Sequence, residues 1–233
     1  MKLVLERFAH NALALLAVTT VLFFMFRLIP GDPTAAYLDP TFTEQQRQQL
    51  LAEFGLDKPL STQYWVYLGN LLHLHFGLSF RERAPVLGLI MQALPNTIVL
   101  TLSSLILAYV FGALAGAWLA WRRGSRAEAV AIPVVLATRA APDFWLGMIM
   151  ISIFAFGLEW FPAGGSASAG TVFPSFWARI VSPDYLHHLV LPMLTLALFL
   201  QGLPLLLMRS NMLEIMGEEF VTMARMKGLP ERS

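Results

Sequence analysis

Residues 84–121 include no charged side chain. That run of thirty-eight exceeds the roughly 20 residues a helix needs to cross a bilayer core. Lipid admits only backbones that satisfy their own N–H and C=O groups. The reading that fits is a lead-in helix over 86–94, meeting a spanning helix of 97–121 near Pro95. Composition agrees with a membrane class. Of 233 residues, 57% are hydrophobic and 13% charged, whereas a soluble domain carries roughly 25% charge. Mean hydropathy is +0.62. A net charge of +1 argues against disorder and nucleic-acid binding. Cysteine is absent, which excludes disulfides, thiolate metal sites and a thiol nucleophile.

Charges punctuate the rest into four expected spans, 8–29, 97–121, 134–158 and 187–208. Lys2, Glu6 and Arg7 precede the first. A cleaved signal peptide would need a shorter apolar core and a small-x-small site, but Phe26-Arg27-Leu28-Ile29-Pro30-Gly31-Asp32-Pro33 follows, so the helix is retained. Residues 30–93 are the most polar stretch and read as a small cap. Within it, Thr43 opens a helix that Gly55 closes, and 61–73 place Tyr64, Trp65, Tyr67, Leu68, Leu71 and Leu72 at helical spacing. The apolar stretch 129–158 is interrupted by Arg139, Pro142 and Asp143, and only 15 clean residues follow Asp143. The third span therefore reaches back to 134. Arg139 and Asp143, four apart, would pair on one turn unless Pro142 bends it. Phe173, Phe176 and Trp177 in the 159–186 loop suit an interfacial helix. The fourth span contains Pro192, Gly202 and Pro204 and ends at Arg209.

Basic residues set the expected orientation. With the N-terminus inside, the inner segments 1–7, 122–126 and 209–233 hold nine Lys or Arg in 37 residues, and the outer segments hold five in 92. That asymmetry places both ends in the cytoplasm and the cap outside. The expected architecture is an all-α polytopic membrane protein in three parts: 1–29, an extracytoplasmic cap 30–93, and a core 94–233 whose segment 210–233 is cytoplasmic.

Several residues stand out. Ser104, Ala108, Gly112, Gly116 and Ala120 form a small-residue ladder at spacing four, suited to close helix packing within one bundle or to a dimer face. Gln201, beside Gly202 and Pro204, either faces a translocation path or satisfies carbonyls freed by Pro204. Asp143 is the second path candidate, against a structural pair with Arg139. His73, His75, His187 and His188 could touch a metal in transit, or serve as interfacial and capping groups. No phosphate loop, nucleophile elbow or zinc-protease motif occurs. An intramembrane enzyme lacks a nucleophile or metal pair.

The tail runs Arg209-Ser210-Asn211-Met212-Leu213-Glu214, then Glu218-Glu219-Phe220-Val221-Thr222-Met223-Ala224-Arg225-Met226-Lys227-Gly228-Leu229. It resembles the coupling segment of bacterial ATP-binding cassette (ABC) importer permeases, in the peptide and nickel branch. Glu219, Phe220, Val221, Ala224, Arg225, Lys227, Gly228 and Leu229 fill that pattern, and Met226 replaces an alanine. Of the wider Glu-Ala-Ala-x-x-x-Gly signature only Ala224 and Gly228 match; Thr222 and Met223 depart from it. Further matches run in order along the chain: Leu28 to Pro33, Gly55-Leu56-Asp57-Lys58-Pro59-Leu60, Phe76-Gly77-Leu78-Ser79-Phe80, Pro142 to Gly147, Trp160-Phe161-Pro162-Ala163 with Gly165, and His188-Leu189 with Leu191-Pro192.

The resemblance implies a permease subunit in the bacterial cytoplasmic (inner) membrane, working with a second permease subunit, two ATP-binding subunits and an extracytoplasmic binding protein. ATP and Mg belong to the partner subunits, and this chain does no covalent chemistry. Glu219, Phe220, Val221, Ala224, Arg225, Lys227 and Gly228 would form the coupling site, with the small face of Ala224 and Gly228 entering a groove on the partner. Without the resemblance the same segment reads as an amphipathic helix lying on lipid. Peptides are the first substrate class and nickel or a metal chelate the second. The family pattern continues for about two more helices, so a non-transporting relic or scaffold is the remaining alternative.

Overall fold

The computed structural model describes residues 2–28, 57–79, 82 and 84–228. The helix expected between Thr43 and Gly55 lies outside them. Every regular element among the described residues is helical, with one isolated bridge between Leu78 and Pro85. Among the described residues three helices are long and apolar enough to cross a membrane, Val4–Arg27 within the first and then Val86–Trp121 and Pro183–Leu200; a bent pair, counted as one span, raises the number to four. The chain divides into two compact units, Met1–Ala93 and Leu94–Ser233.

In the first unit, α1 spans Lys2–Leu28 and α2 spans Leu60–Leu72. The aromatic spacing of α2 serves packing on α1. Phe23, 2% exposed, meets the rings of Tyr64 and Tyr67 at centroid distances of 5.2 and 5.3 Å. The hydroxyls of Thr20 and Tyr64 share a 2.7 Å hydrogen bond. Arg27 donates to Gln63 and lies over the Phe23 ring. Trp65 points away and stays exposed.

The next helix, α3, is one continuous element, Val86–Trp121, with Pro95 inside it. Separate lead-in and spanning helices were expected. Proline removes one donor and costs about 3 kcal/mol in a helix interior. A chain break in lipid would strand several N–H and C=O groups at several kcal/mol each, so the helix continues. One side of α3 exposes Ile106, Phe111 and Leu114. The other buries Ser104, Ala108, Gly112, Gly116, Leu119 and Ala120.

The second unit corrects the third expected span. Residues 134–158 are not one helix. Helix α4 spans Arg126–Ala140, and α5 spans Asp143–Met150 and runs on as a π-helix, Ile151–Gly157. The two parts meet at 108°. Ala141 and Pro142 are both extended, with ψ of 141° and 138°, because a residue before proline is driven out of the helical region. Length arithmetic had carried the helix across a proline that in fact ends it. Arg139 and Asp143 consequently leave the shared turn, and no ion pair joins them.

A short α6, Phe176–Ile180, lies where the interfacial helix was expected. Helix α7 then spans Pro183–Leu200 and α8 spans Gly202–Met216, separated at Gln201. Pro204 has no N–H to give the carbonyl of Leu200, which accounts for the interruption. Arg209 does not end the fourth run, which begins at Pro183 and goes on to Met216. Its charge has a partner, Glu128, far away in sequence. Leu119, Val135 and Leu205 form the core where α3, α4 and α8 meet.

Candidate functional site

Within the tail expected to couple, a separate short helix forms. Hydrogen bonds from the Gly217 and Glu218 N–H groups to the carbonyls of Glu214 and Ile215 close α8 in a tight turn. Helix α9, Glu219–Met226, follows at once. Its start is stabilised by Glu219, a negative charge at the positive end of the helix dipole. Gly228, at φ +70°, takes the left-handed conformation that ends helices and that side chains with a Cβ disfavour.

Phe220, Met223 and Met226 are 62%, 54% and 81% exposed and lie three residues apart. Val221 and Ala224 are half-buried, whereas Glu219, Lys227 and Gly228 are exposed. The side chain of Arg225 lies outside the described part. The most exposed apolar surface of α9 is thus a Phe–Met–Met stripe flanked by charge, beside the half-buried Ala224 and the exposed Gly228.

Both path candidates line cavities within the second unit. Asp143 begins α5, where its Oδ1 accepts the N–H of Phe144 at 2.8 Å. It lines a groove of about 420 Å³ with Gly147, Ile151, His188 and Thr195. Gln201 lines a second cavity of about 250 Å³ with Ala108, Phe111 and Ala197. No hydrogen bond from its side chain occurs among the described residues. The structure does not bring Gln201 and Asp143 into one cavity.

The ladder on α3 meets α8 of the same chain. A Cβ on Gly116 would lie 2.3 Å from the carbonyl oxygen of Leu205 and 3.1 Å from the backbone nitrogen of Arg209. A Cβ on Gly112 would lie 2.9 Å from the carbonyl oxygen of Gln201. These glycines allow two helix backbones to touch.

A residue absent from the sequence reading, Glu128, joins this contact to the loop before α4. Its Oε1 accepts the Nε–H of Arg209 at 2.8 Å and a second bond from Nη2. Its Oε2 accepts the N–H of Gly124 at 2.6 Å. Ser125 caps α4 by accepting the N–H of Glu128. Ser125-Arg126-Ala127-Glu128 has the Ser-x-x-Glu spacing of a helix start, a signal present in the sequence.

The histidines engage the backbone. His73 Nδ1 lies 2.8 Å from the carbonyl of Gly69, His187 Nε2 2.8 Å from that of Trp160, and His188 Nδ1 2.8 Å from that of Asp184. Among the described residues no group of three or more His, Asp or Glu is placed to hold a metal ion. Asp184 pins the preceding loop, accepting both the N–H of Ser168 at 2.8 Å and its hydroxyl at 2.6 Å.

Residues 108–233 match the family described as binding-protein-dependent transport system inner membrane component, and residues 1–101 match its N-terminal domain. The oligopeptide transport system permease protein AppB of Bacillus subtilis is 35% identical over 218 residues, covering 93% of this chain and 67% of that protein. The di/tripeptide transport system permease protein DppB of Pseudomonas aeruginosa is 34% identical over 224 residues, covering 91% and 67%. A putative peptide permease protein of Brucella ovis is 34% identical over 220 residues, covering 93% and 67%.

Proposed function

Because this chain belongs to the binding-protein-dependent transport system inner membrane components, we propose that it is a permease subunit through which an ATP-driven importer moves peptides. The observation that carries the reading is α9. It is a short helix at the end of the long α7–α8 arm, with Phe220, Met223 and Met226 uncovered and Gly228 closing it. Membership of the family makes the chain an inner-membrane transporter component rather than an enzyme.

In this reading α9 docks on an ATP-binding subunit, and hydrolysis there closes the pair of such subunits and moves the arm. A second permease subunit completes the path, and an extracytoplasmic binding protein delivers the peptide. ATP and Mg sit on the partners; the sequence offers no phosphate loop to hold them. In this reading the N-terminus and α9 are cytoplasmic, which the basic-residue asymmetry supports. Peptide is the cargo because the relatives above are named for peptides. The histidines, each tied to a carbonyl or lying outside a three-residue cluster, give nickel no comparable support.

The test is ATP-dependent uptake of a labelled dipeptide by cells with and without the intact gene, with nickel and a nickel chelate as parallel arms. Peptide uptake that vanishes with the gene is the expected result. Unchanged peptide uptake with lost nickel uptake would replace the cargo, and no change in any arm would end the importer reading. Orientation is checked by single cysteines at Ser166 and Lys227, introduced into a chain that has none. An impermeant maleimide added outside should label the first and spare the second.

A further inference from the structure

The importer reading leaves open how movement of α9 reaches the groove, and a part-buried ion pair within the chain, Glu128 with Arg209, bears on this. Glu128 is 8% exposed, although it is charged and sits in the first turn of α4. Its carboxylate joins the α3–α4 loop, through Gly124, to the arm, through Arg209, while its backbone N–H donates to Ser125 at the start of α4. Both Nε and Nη2 of Arg209 go to one oxygen. The pair is asymmetric: the Glu128 side chain is 11% exposed and that of Arg209 28%, so it is removal of Arg209 that leaves a poorly hydrated charge without its partner.

The surroundings make the junction stiff. One turn or less from the ion pair, the backbone of α8 rests against Gly116 with no room for a single added carbon. From Arg209, α8 runs to Met216 without an internal proline or glycine, and a hydrogen-bonded two-residue turn leads into α9. On the other side, α4 runs 15 residues from Arg126 to Ala140 as one helix that continues through an internal Pro133, about 22 Å at 1.5 Å per residue. It ends at the 108° break where Asp143 opens the 420 Å³ groove.

We propose that Glu128 and Arg209 form a clamp that forces α4 to move with the arm carrying α9, so that α4 acts as the rod between the ATPase-facing helix and the groove. Both are positioning residues, and neither touches cargo. The proposal rests on the importer reading for the meaning of the movement, and its test separates the two.

The assembled transporter, reconstituted with its ATP-binding subunits and binding protein, is assayed for peptide imported per ATP hydrolysed. Glu128→Gln and Arg209→Gln should keep ATP hydrolysis and lower that ratio about five- to a hundredfold, the range of ordinary coupling between sites. Arg209→Lys keeps the charge but loses the two-nitrogen fork, so its ratio should fall between wild type and Arg209→Gln. Normal ratios in the two Gln variants would overturn the clamp. Failure of the wild type to import peptide would overturn the importer reading instead.

A second measurement needs neither peptide nor import. Spin labels at Arg122→Cys and Glu219→Cys, with cysteine-free partner subunits, report the distance between the loop and α9. The expected result is one narrow distance that is unchanged by ATP, and that broadens when Glu128→Gln is added. A wild-type distance that changes with ATP would show that the loop and arm do not move together, and would overturn the clamp.

Discussion

Gly116→Ala is the sharpest probe of the contact between α3 and α8. The added Cβ would stand 2.3 Å from the Leu205 carbonyl oxygen, against the 3.4 Å at which ordinary contact begins. The obstacle is backbone, so no rotamer change relieves it, and α3 and α8 must separate by about 1 Å. A gap of that size forfeits roughly a quarter to a half of each dispersion well along the contact. Overpacking costs about 1–3 kcal/mol, and a backbone obstacle places this case near the top. Alanine returns about 1 kcal/mol of helix propensity over glycine. The net loss is about 2 kcal/mol, a factor of roughly 30 in the folded-to-unfolded ratio. Gly88→Ala is the matched control in the same helix, since a Cβ there meets nothing within 4 Å; it should be neutral or gain up to about 1 kcal/mol. The assay is reversible unfolding of the purified permease in mixed micelles by increasing SDS. Gly116→Ala as stable as Gly88→Ala would refute the close-contact argument, whatever its effect on transport.

Three further outcomes follow from the site. Phe220→Ala combined with Met223→Ala removes the exposed stripe of α9 and should weaken binding of the ATP-binding subunit at least about tenfold, the loss of one modest hot spot; surface plasmon resonance on permease in nanodiscs reads it. Gly228→Ala places a Cβ at φ +70°, costing about 1–2 kcal/mol at that residue, and should lower peptide-stimulated ATPase activity while basal hydrolysis persists. Asp184→Ala removes both acceptors of Ser168. It should speed limited proteolysis between Gly164 and Ser175 without altering assembly, and unchanged cleavage would show that the loop is held elsewhere.

What could be read from sequence was what a short window contains. Charge-free runs located the first span and most of α3, and four-residue spacing found every member of the ladder that α3 buries. The partner of that ladder was not legible, because spacing tells which residues share a face and says nothing of what covers it. Arg209 was read as a helix end for a related reason: a charge closes an apolar run only if nothing neutralises it, and Glu128 is 81 positions away. Pro142 was weighed locally and outvoted by span length, although the restriction it places on Ala141 was the stronger constraint. On α9 the resemblance supplied the segment, and the exposed stripe then followed from which residues α9 half-buries.

The π-helical stretch Ile151–Gly157 carries one more consequence. Its bonds skip one residue further than α bonds, as in the Leu158 N–H to Ile153 carbonyl link of 2.9 Å. The stretch therefore holds a residue that regular coiling would not need. Deleting one residue within α3 or α7 would rotate every later side chain by about 100° and bring the wrong face to the core. Deleting one within Ile151–Gly157 would let that turn relax to α spacing, keeping Asp143 and Gly147 in place. The π-helical turn thus lets this chain lose one residue there without turning Asp143 and Gly147 away from the groove.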